Sequence, residues 1–301
     1  MIRCFDLPLP HGITLACRTA GTAGAAGTAG VPRVMLLHGF PEAAFIWDEV
    51  MALLAPQAEC LAPNLRGFEG SSAPTAMADY RPRHLVADVV AAITAFTAGS
   101  GPLDLLVAHD WGGALAWNLA AAHPGLLKRL LIINSPHPAT FLRELRHSEA
   151  QQRASAYMNF LCRADAAALL SEHDFARLWP FFGSAAWLTP PLRERYRHAW
   201  HNGGRGLDGA LNYYRASPLR PALGPDDSLH TLVLPDEAVT VRVPTTVLWG
   251  DGDVALLPGL LDGLERWVPQ LQVLHEHTAD HWLVHEKPAR VAAVIRSLLA
   301  P

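Results

Sequence analysis

Cysteine, charge and long apolar runs are all scarce in this 301-residue chain, and each scarcity removes a class of protein. Cys4, Cys17, Cys60 and Cys162 stand far apart with no Cys-x-x-Cys pair, which reads as free thiols in a reducing cytosol. No uncharged apolar stretch approaches the ~18 residues of a membrane span. Met1–Asp6 lacks the apolar run of a secretory signal, and Asp6, Pro8 and Pro10 break it further. A soluble, cytoplasmic protein is expected. Only 17% of residues are charged and the net charge is −4, so neither nucleic acid nor an anionic membrane is indicated as a partner.

Hydrophobic residues, in contrast, make up half the chain, enough for a large buried interior. Ile2–Leu7 and Ile13–Arg18 read as edge strands joined through His11-Gly12, and Gly21–Gly30 as a mobile surface loop. From Val34 onward, short apolar runs alternate with helical patterns. Val34–Leu37, Glu59–Ala62, Leu103–Val107, Leu130–Ile133, Thr245–Trp249 and Gln272–Leu274 are the strand candidates. Runs of this length between helices predict parallel strands covered on both faces. Leu85, Val89, Ile93 and Phe96 recur at helical spacing, as do Val291, Val294, Ile295 and Leu298. The pattern predicts an α/β protein, a doubly wound, mostly parallel sheet closed by a final helix.

The alternation stops after Ile133 and resumes near Val243-Pro244. Between them the chain is rich in Arg, Trp, Tyr and Ala and is broken by Pro190-Pro191 and Gly203-Gly204. This segment is expected to form an inserted helical lid over the C-terminal edge of the sheet, where open α/β sheets bind ligands. The expected division is a core of residues 1–138 and 240–301 and a lid of residues 139–239.

Leu105 to Ala114 is an apolar strand that runs into a tight bend flanked by small residues and continues into an alanine-rich helix. Such an elbow exposes a nucleophile above the end of a sheet. Hydrolases of this shape normally carry serine at the tip; here the residue is Asp110. A carboxylate there attacks an electrophilic carbon directly and becomes one half of an enzyme ester. Ala108 and Gly112 leave room for the bend, and Gly113 lets the helix approach the sheet.

Three motifs, His38-Gly39-Phe40-Pro41-Glu42, Asn64 to Pro74, and His109-Asp110-Trp111-Gly112-Gly113, closely resemble the α/β-hydrolase-fold epoxide hydrolases. The first and third together are specific, although haloalkane dehalogenases share the Asp-Trp elbow. The resemblance spans nearly the whole chain and extends to Trp249-Gly250-Asp251-Gly252-Asp253, to Asp280-His281-Trp282 and to two tyrosine-bearing lid segments. It implies an α/β-hydrolase fold, a small-molecule epoxide converted with water to a vicinal diol, and no metal or organic cofactor.

An enzyme ester must then be hydrolysed by a deprotonated water. His281 follows the last strand, just before the closing helix, where this fold brings a base above the elbow, and the order nucleophile, acid, base is the one the fold expects. Asp251 and Asp253 both leave the strand Thr245–Trp249 and both qualify as the acid by position. The family pattern selects Asp253, which fixes the His281 tautomer, and leaves Asp251 as a turn residue. The resemblance also assigns the oxyanion hole to the backbone N–H groups of Phe40 and Trp111, whose side chains would form part of the substrate wall. His38 would support the loop. In the lid, it assigns Tyr157 and Tyr214 to the epoxide oxygen, where a phenol supplies a proton or hydrogen bond to the emerging alkoxide. Successive helix residues face different directions, so Tyr213 is not expected to reach the same point. Tyr196 lies outside both motifs and reads as structural.

Other residues carry plainer readings. His275, His277 and His285 read as surface histidines; His277, His281 and His285 have a spacing that a metal site could use, without the carboxylate- or cysteine-rich surroundings of one. Arg143, Arg146 and Arg153 with Glu144 and Glu149 read as a solvated helix face. Trp179, Phe181, Phe182 and Trp187 either line the cavity or pack within the lid, and Arg66 to Ser72 reads as an architectural loop. A dehalogenase would use the same elbow, but Phe40 stands where haloalkane dehalogenases often carry Asn, and Trp111 where fluoroacetate dehalogenases typically carry Arg. A non-catalytic ligand-binding homologue usually loses part of the triad, and a serine esterase needs serine at the elbow.

Overall fold

The computed structural model describes residues 1–21, 30–183 and 185–300; most of the expected surface loop, residues 22–29, lies outside them. The strands are β1 (Arg3–Pro8), β2 (Thr14–Ala20), β3 (Arg33–Leu37), β4 (Glu59–Pro63), β5 (Leu105–His109), β6 (Leu130–Ile133), β7 (Thr245–Gly250) and β8 (Leu271–Glu276). They form one sheet in the order β1-β2-β4-β3-β5-β6-β7-β8. The β1–β2 and β2–β4 pairs are antiparallel, and all others are parallel. β5, β6 and β7 are buried from end to end, as continuous apolar runs require.

Two strand expectations change. β2 is not an edge strand, because Cys17–Ala20 pair with β4 on its far side. Its alternation of buried and half-buried residues suits an antiparallel strand with one wet face, and that pattern is the same at an edge or inside. β5 begins at Leu105 rather than Leu103, which only bridges Leu127, and it continues to His109. The His109 ring finds partners on both nitrogens, so a polar residue can finish a buried strand.

The first helices are α1 (Asp48–Leu54), α2 (Pro82–Thr97) and α3 (Asp110–Ala122). Between β6 and β7 come α4 (Pro138–His147), α5 (Glu149–Ala154), α6 (Tyr157–Leu161), α7 (Ala166–Phe175), α8 (Pro190–His201), α9 (Asp208–Ala216) and α10 (Asp236–Val239). α11 (Leu283–Glu286) and α12 (Pro288–Leu299) close the chain. α1 packs on α12 and α2 on α3. Leu85, Val89 and Ile93 of α2 and Val291, Val294 and Ile295 of α12 form their buried stripes. No helix of the described residues is long and apolar enough to cross a membrane.

The strand order reverses between β3 and β5: the chain leaves β3 toward β4 on one side and β5 toward β6 on the other. Loops leaving their C-terminal ends diverge and open a crevice. His38–Glu42 follow β3 and Asp110 follows β5, so sheet topology alone brings the two motifs together.

Polar bolts fasten the inserted helices to the core. Trp200 Nε1 donates to the Pro41 carbonyl at 2.6 Å, and Arg195 forms a two-pronged ion pair with Glu69. Arg143 and Arg146 are not a simple solvated face. Arg143 pairs with Glu144 but also donates to the carbonyls of Gly259 and Asp262, and Arg146 donates to those of Leu229 and Leu232. Irregular loops leave carbonyls without backbone partners, and a guanidinium has donors enough to satisfy several. Arg153 and Glu149 do form the exposed helical pair.

Candidate active site

Asp110, the first residue of α3, has a φ of +49°, a left-handed conformation that costs a non-glycine residue about 1–3 kcal/mol. The surroundings enforce it. The Ser135 hydroxyl donates to the Asp110 carbonyl at 2.7 Å, and a Cβ on Gly39 would lie 2.1 Å from Asp110 Oδ1. Only glycine at position 39 lets the β3 loop pass so close to the carboxylate.

That closeness supplies donors. The Phe40 N–H donates to Asp110 Oδ1 at 2.7 Å, and the adjacent Trp111 N–H also favours the charged carboxylate. They and the N-terminus of α3 favour negative charge here. Burial opposes it more strongly, and the Asp110 pKa is raised above the ordinary carboxylate value.

His281 stands between two carboxylates. Its Nε2 lies 3.8 Å from Asp110 Oδ2 and its Nδ1 2.7 Å from Asp253 Oδ2. Asp253 Oδ2 also accepts from the Asn134 amide at 2.9 Å, and Oδ1 accepts from the N–H groups of Ala255 and Leu256. Asn134 in turn accepts from the Gly250 N–H at 2.8 Å, fixing the end of β7. Burial works against the imidazolium, but the charge and hydrogen bond of Asp253, then the charge of Asp110, raise the His281 pKa to about 9. Burial likewise works against the Asp253 charge, yet His281 holds its pKa below the ordinary value. Asp251 takes no part in this pairing; it accepts from His275 and His277 at the surface.

Tyr157 of α6 and Tyr214 of α9 line a cavity of about 180 Å³ together with Asp110 and Trp111. Their rings meet edge to face with centroids 6.3 Å apart. Burial pushes both phenols well above their ordinary pKa, and the Asp110 charge adds to it, so both are neutral donors at neutral pH. Tyr213 also borders the cavity, but its hydroxyl is occupied at 3.0 Å by the Arg66 carbonyl. Leu85, Phe141, Met158, Leu219, Leu234 and Val239 make the walls apolar.

The Phe40 ring does not border this cavity. Its N–H faces Asp110 while the ring turns away, packing on Tyr214 and Phe181 beside a smaller cavity near Trp200. Trp179, Phe181, Phe182 and Trp187 are absent from the main cavity wall as well. Phe182 packs on Trp200 and Trp282, and Trp187 stacks on His285 at 4.3 Å. His38 bridges its own loop, with Nδ1 at 2.9 Å from the Gly39 carbonyl and Nε2 accepting from the Leu65 N–H at 3.0 Å.

Sequence reasoning missed a buried network behind the histidine. His109 Nε2 donates to the His281 carbonyl at 2.9 Å, and its Nδ1 lies 3.0 Å from Glu42 Oε2. Glu42 Oε1 accepts from the Tyr196 hydroxyl at 3.2 Å and lies 3.2 Å from His285 Nε2. Burial would raise the Glu42 pKa, but His109 and His285 hold it well below the usual range. His285 is therefore not a surface histidine; the short α11 turns it inward beneath Trp187. The signal was a lone carboxylate inside the apolar run Phe40–Trp47, a charge that demands partners. The three histidines with metal-like spacing address three different carboxylates, Asp251, Asp253 and Glu42. Among the described residues, no group of three His, Cys, Asp or Glu is arranged to hold a metal ion.

A model of the α/β-hydrolase-fold family matches residues 32–288. The chain is 33% identical to the AB hydrolase superfamily protein YfhM of Bacillus subtilis, over 96% of this chain and 95% of that one. It is 30% identical to epoxide hydrolase 4 of Mus musculus, over 89% of this chain and 73% of the relative. The solved structure of Bacillus megaterium epoxide hydrolase with an inhibitor superposes with a TM-score of 0.85 at 28% identity, covering 98% of this chain and 99% of that one. By sequence and fold alike, the chain belongs to the α/β-hydrolase-fold family and, within it, to the epoxide hydrolases.

Proposed function

We propose that this protein hydrolyses an epoxide to a vicinal diol through a covalent ester on Asp110, with the inserted helices acting as a lid. The names of the mouse and Bacillus megaterium relatives support the reaction class. One observation carries the mechanism: a carboxylate and two neutral phenols face a single apolar cavity.

The anionic Asp110 attacks a ring carbon, and the carbon–oxygen bond breaks. The oxygen leaves as an alkoxide, which a phenol of Tyr157 or Tyr214 hydrogen-bonds and protonates. Ester formation removes the Asp110 charge, one of the forces that holds the proton on His281. The imidazolium then releases its proton, which by way of solvent restores the phenol, and the imidazole is neutral when it must serve as a base. It takes a proton from water, which adds to the Asp110 carbonyl carbon. The resulting oxyanion lies on the Phe40 and Trp111 N–H groups, and loss of one such donor costs about 3 kcal/mol. Collapse of the adduct breaks its bond to the substrate oxygen; the carboxyl proton passes to that oxygen, which releases the diol and restores the carboxylate beside the imidazolium. No step calls for a metal or an organic cofactor.

One turnover in heavy-oxygen water tests the ester. The first diol should carry an unlabelled oxygen from Asp110, with label entering only in later turnovers. Solvent oxygen in that first product would rule the ester out.

A further inference from the structure

The cavity over Asp110 shares two of its lining residues with a neighbouring cavity. Pro82, at the start of α2, and Asn118, on α3, border both that cavity and a second one of about 460 Å³ on the protein surface. The outer cavity is a groove between the two helices. Val86, Val90 and Ala91 of α2 face it from one side, Ala122 of α3 from the other, and Ala238 of α10 closes one flank. Pro82, Val86 and Val90 are spaced four apart, as are Asn118 and Ala122, so each helix presents one continuous stripe to the groove. Eight residues of helix span about 12 Å, room for on the order of nine extended methylenes.

Resting on the reading of the site as an epoxide hydrolase, we propose that this groove takes the unbranched alkyl tail of the substrate and that Asn118 is the threshold residue it passes. The inner cavity, about 180 Å³, holds the oxirane and the first few carbons. A longer chain must leave it somewhere, and the shared wall of Pro82 and Asn118 marks where. The Asn118 amide is tied to the Ala114 carbonyl at 2.7 Å, which holds the side chain against its own helix. Arg83 and His123 also line the groove, but the side chains of Val86, Val90, Ala91 and Ala122 are aliphatic, and this stripe is the part that rewards chain length.

The test is a series of terminal epoxyalkanes from four to twelve carbons, assayed on the intact protein and on Ala122→Trp and Ala87→Trp. Both alanines are exposed, both border the groove, and a tryptophan at either would fill it without entering the core. In the parent protein, kcat/KM should rise about two- to threefold per methylene beyond the shortest members, a half-open version of full methylene burial. Each tryptophan should flatten that rise and leave the four-carbon substrate unchanged. Turnover of short epoxides with no rise, or a rise that survives both tryptophans, overturns the groove alone. No turnover at any length overturns the function on which it rests.

Discussion

His109 Nε2 donates to the backbone carbonyl of His281 at 2.9 Å, so the last residue of β5 holds the loop that carries the proposed base. The proposed nucleophile and base are separated by most of the chain, yet the residue beside one fastens the other. The tie continues through Glu42 to Tyr196 of α8, so three hydrogen bonds join a residue of the inserted helices to the His281 backbone.

Replacing the base should trap the intermediate. His281→Phe removes the proton acceptor but leaves Asp110, Tyr157 and Tyr214 in place. Incubation with a reactive epoxide should give a protein mass increased by one substrate, with diol release slowed about 10³-fold or more. A mass spectrum without the adduct would count against Asp110 as the attacking group.

The phenols should act on the other half of the cycle. Tyr157→Phe and Tyr214→Phe are each expected to slow ring opening about 10²-fold, and the double variant more. Breakdown of the ester, once formed, should change little. Rapid-mixing kinetics separate the two phases, and an equal loss in both would point to general disruption of the cavity.

The resting histidine should titrate high for a stated reason. Asp110 contributes to raising the His281 pKa to about 9 from an ordinary 6.5. Asp110→Asn keeps the shape and removes the negative charge, so proton affinity must fall and the pKa must move down. Imidazole resonances followed by NMR across the alkaline range would show it. An unchanged or higher value in the variant contradicts the electrostatic account of how the base is released.

The Glu42 network should matter more to stability than a single hydrogen bond would. Glu42→Ala leaves His109 and His285 without their buried anion and should cost about 3–5 kcal/mol. Tyr196→Phe removes one donor and should cost about 1 kcal/mol. Denaturant titration of both proteins distinguishes these magnitudes; similar small losses would mean that the carboxylate is dispensable.

The sequence made the strands and the elbow legible because both are local. An apolar run such as Leu130–Ile133 or the small residues around Asp110 announce themselves within a few positions. The Glu42 network was not legible, because Tyr196 lies 154 residues from Glu42 and His109 lies 67 away, with no spacing rule to join them. Motif position selected Asp253 over Asp251, but the reason, an Asn134 amide held between β6 and β7, is a tertiary fact. Cavity walls were the least accessible. Whether Phe181 or Phe141 faces the substrate depends on how inserted helices rotate against the core, and apolar residues on both faces leave the pattern silent.

The kink at position 110 belongs to the backbone, imposed by Gly39, Ser135 and the ends of β5 and α3, rather than to the side chain it displays. The frame is thus a socket. With aspartate in it, the proposed reaction has the protein provide the acid half of the transient linkage and the small molecule depart as an alcohol. A hydroxyl in the same socket would invert the roles and demand an acyl donor. The polarity of the chemistry is written in a few atoms beyond one Cβ.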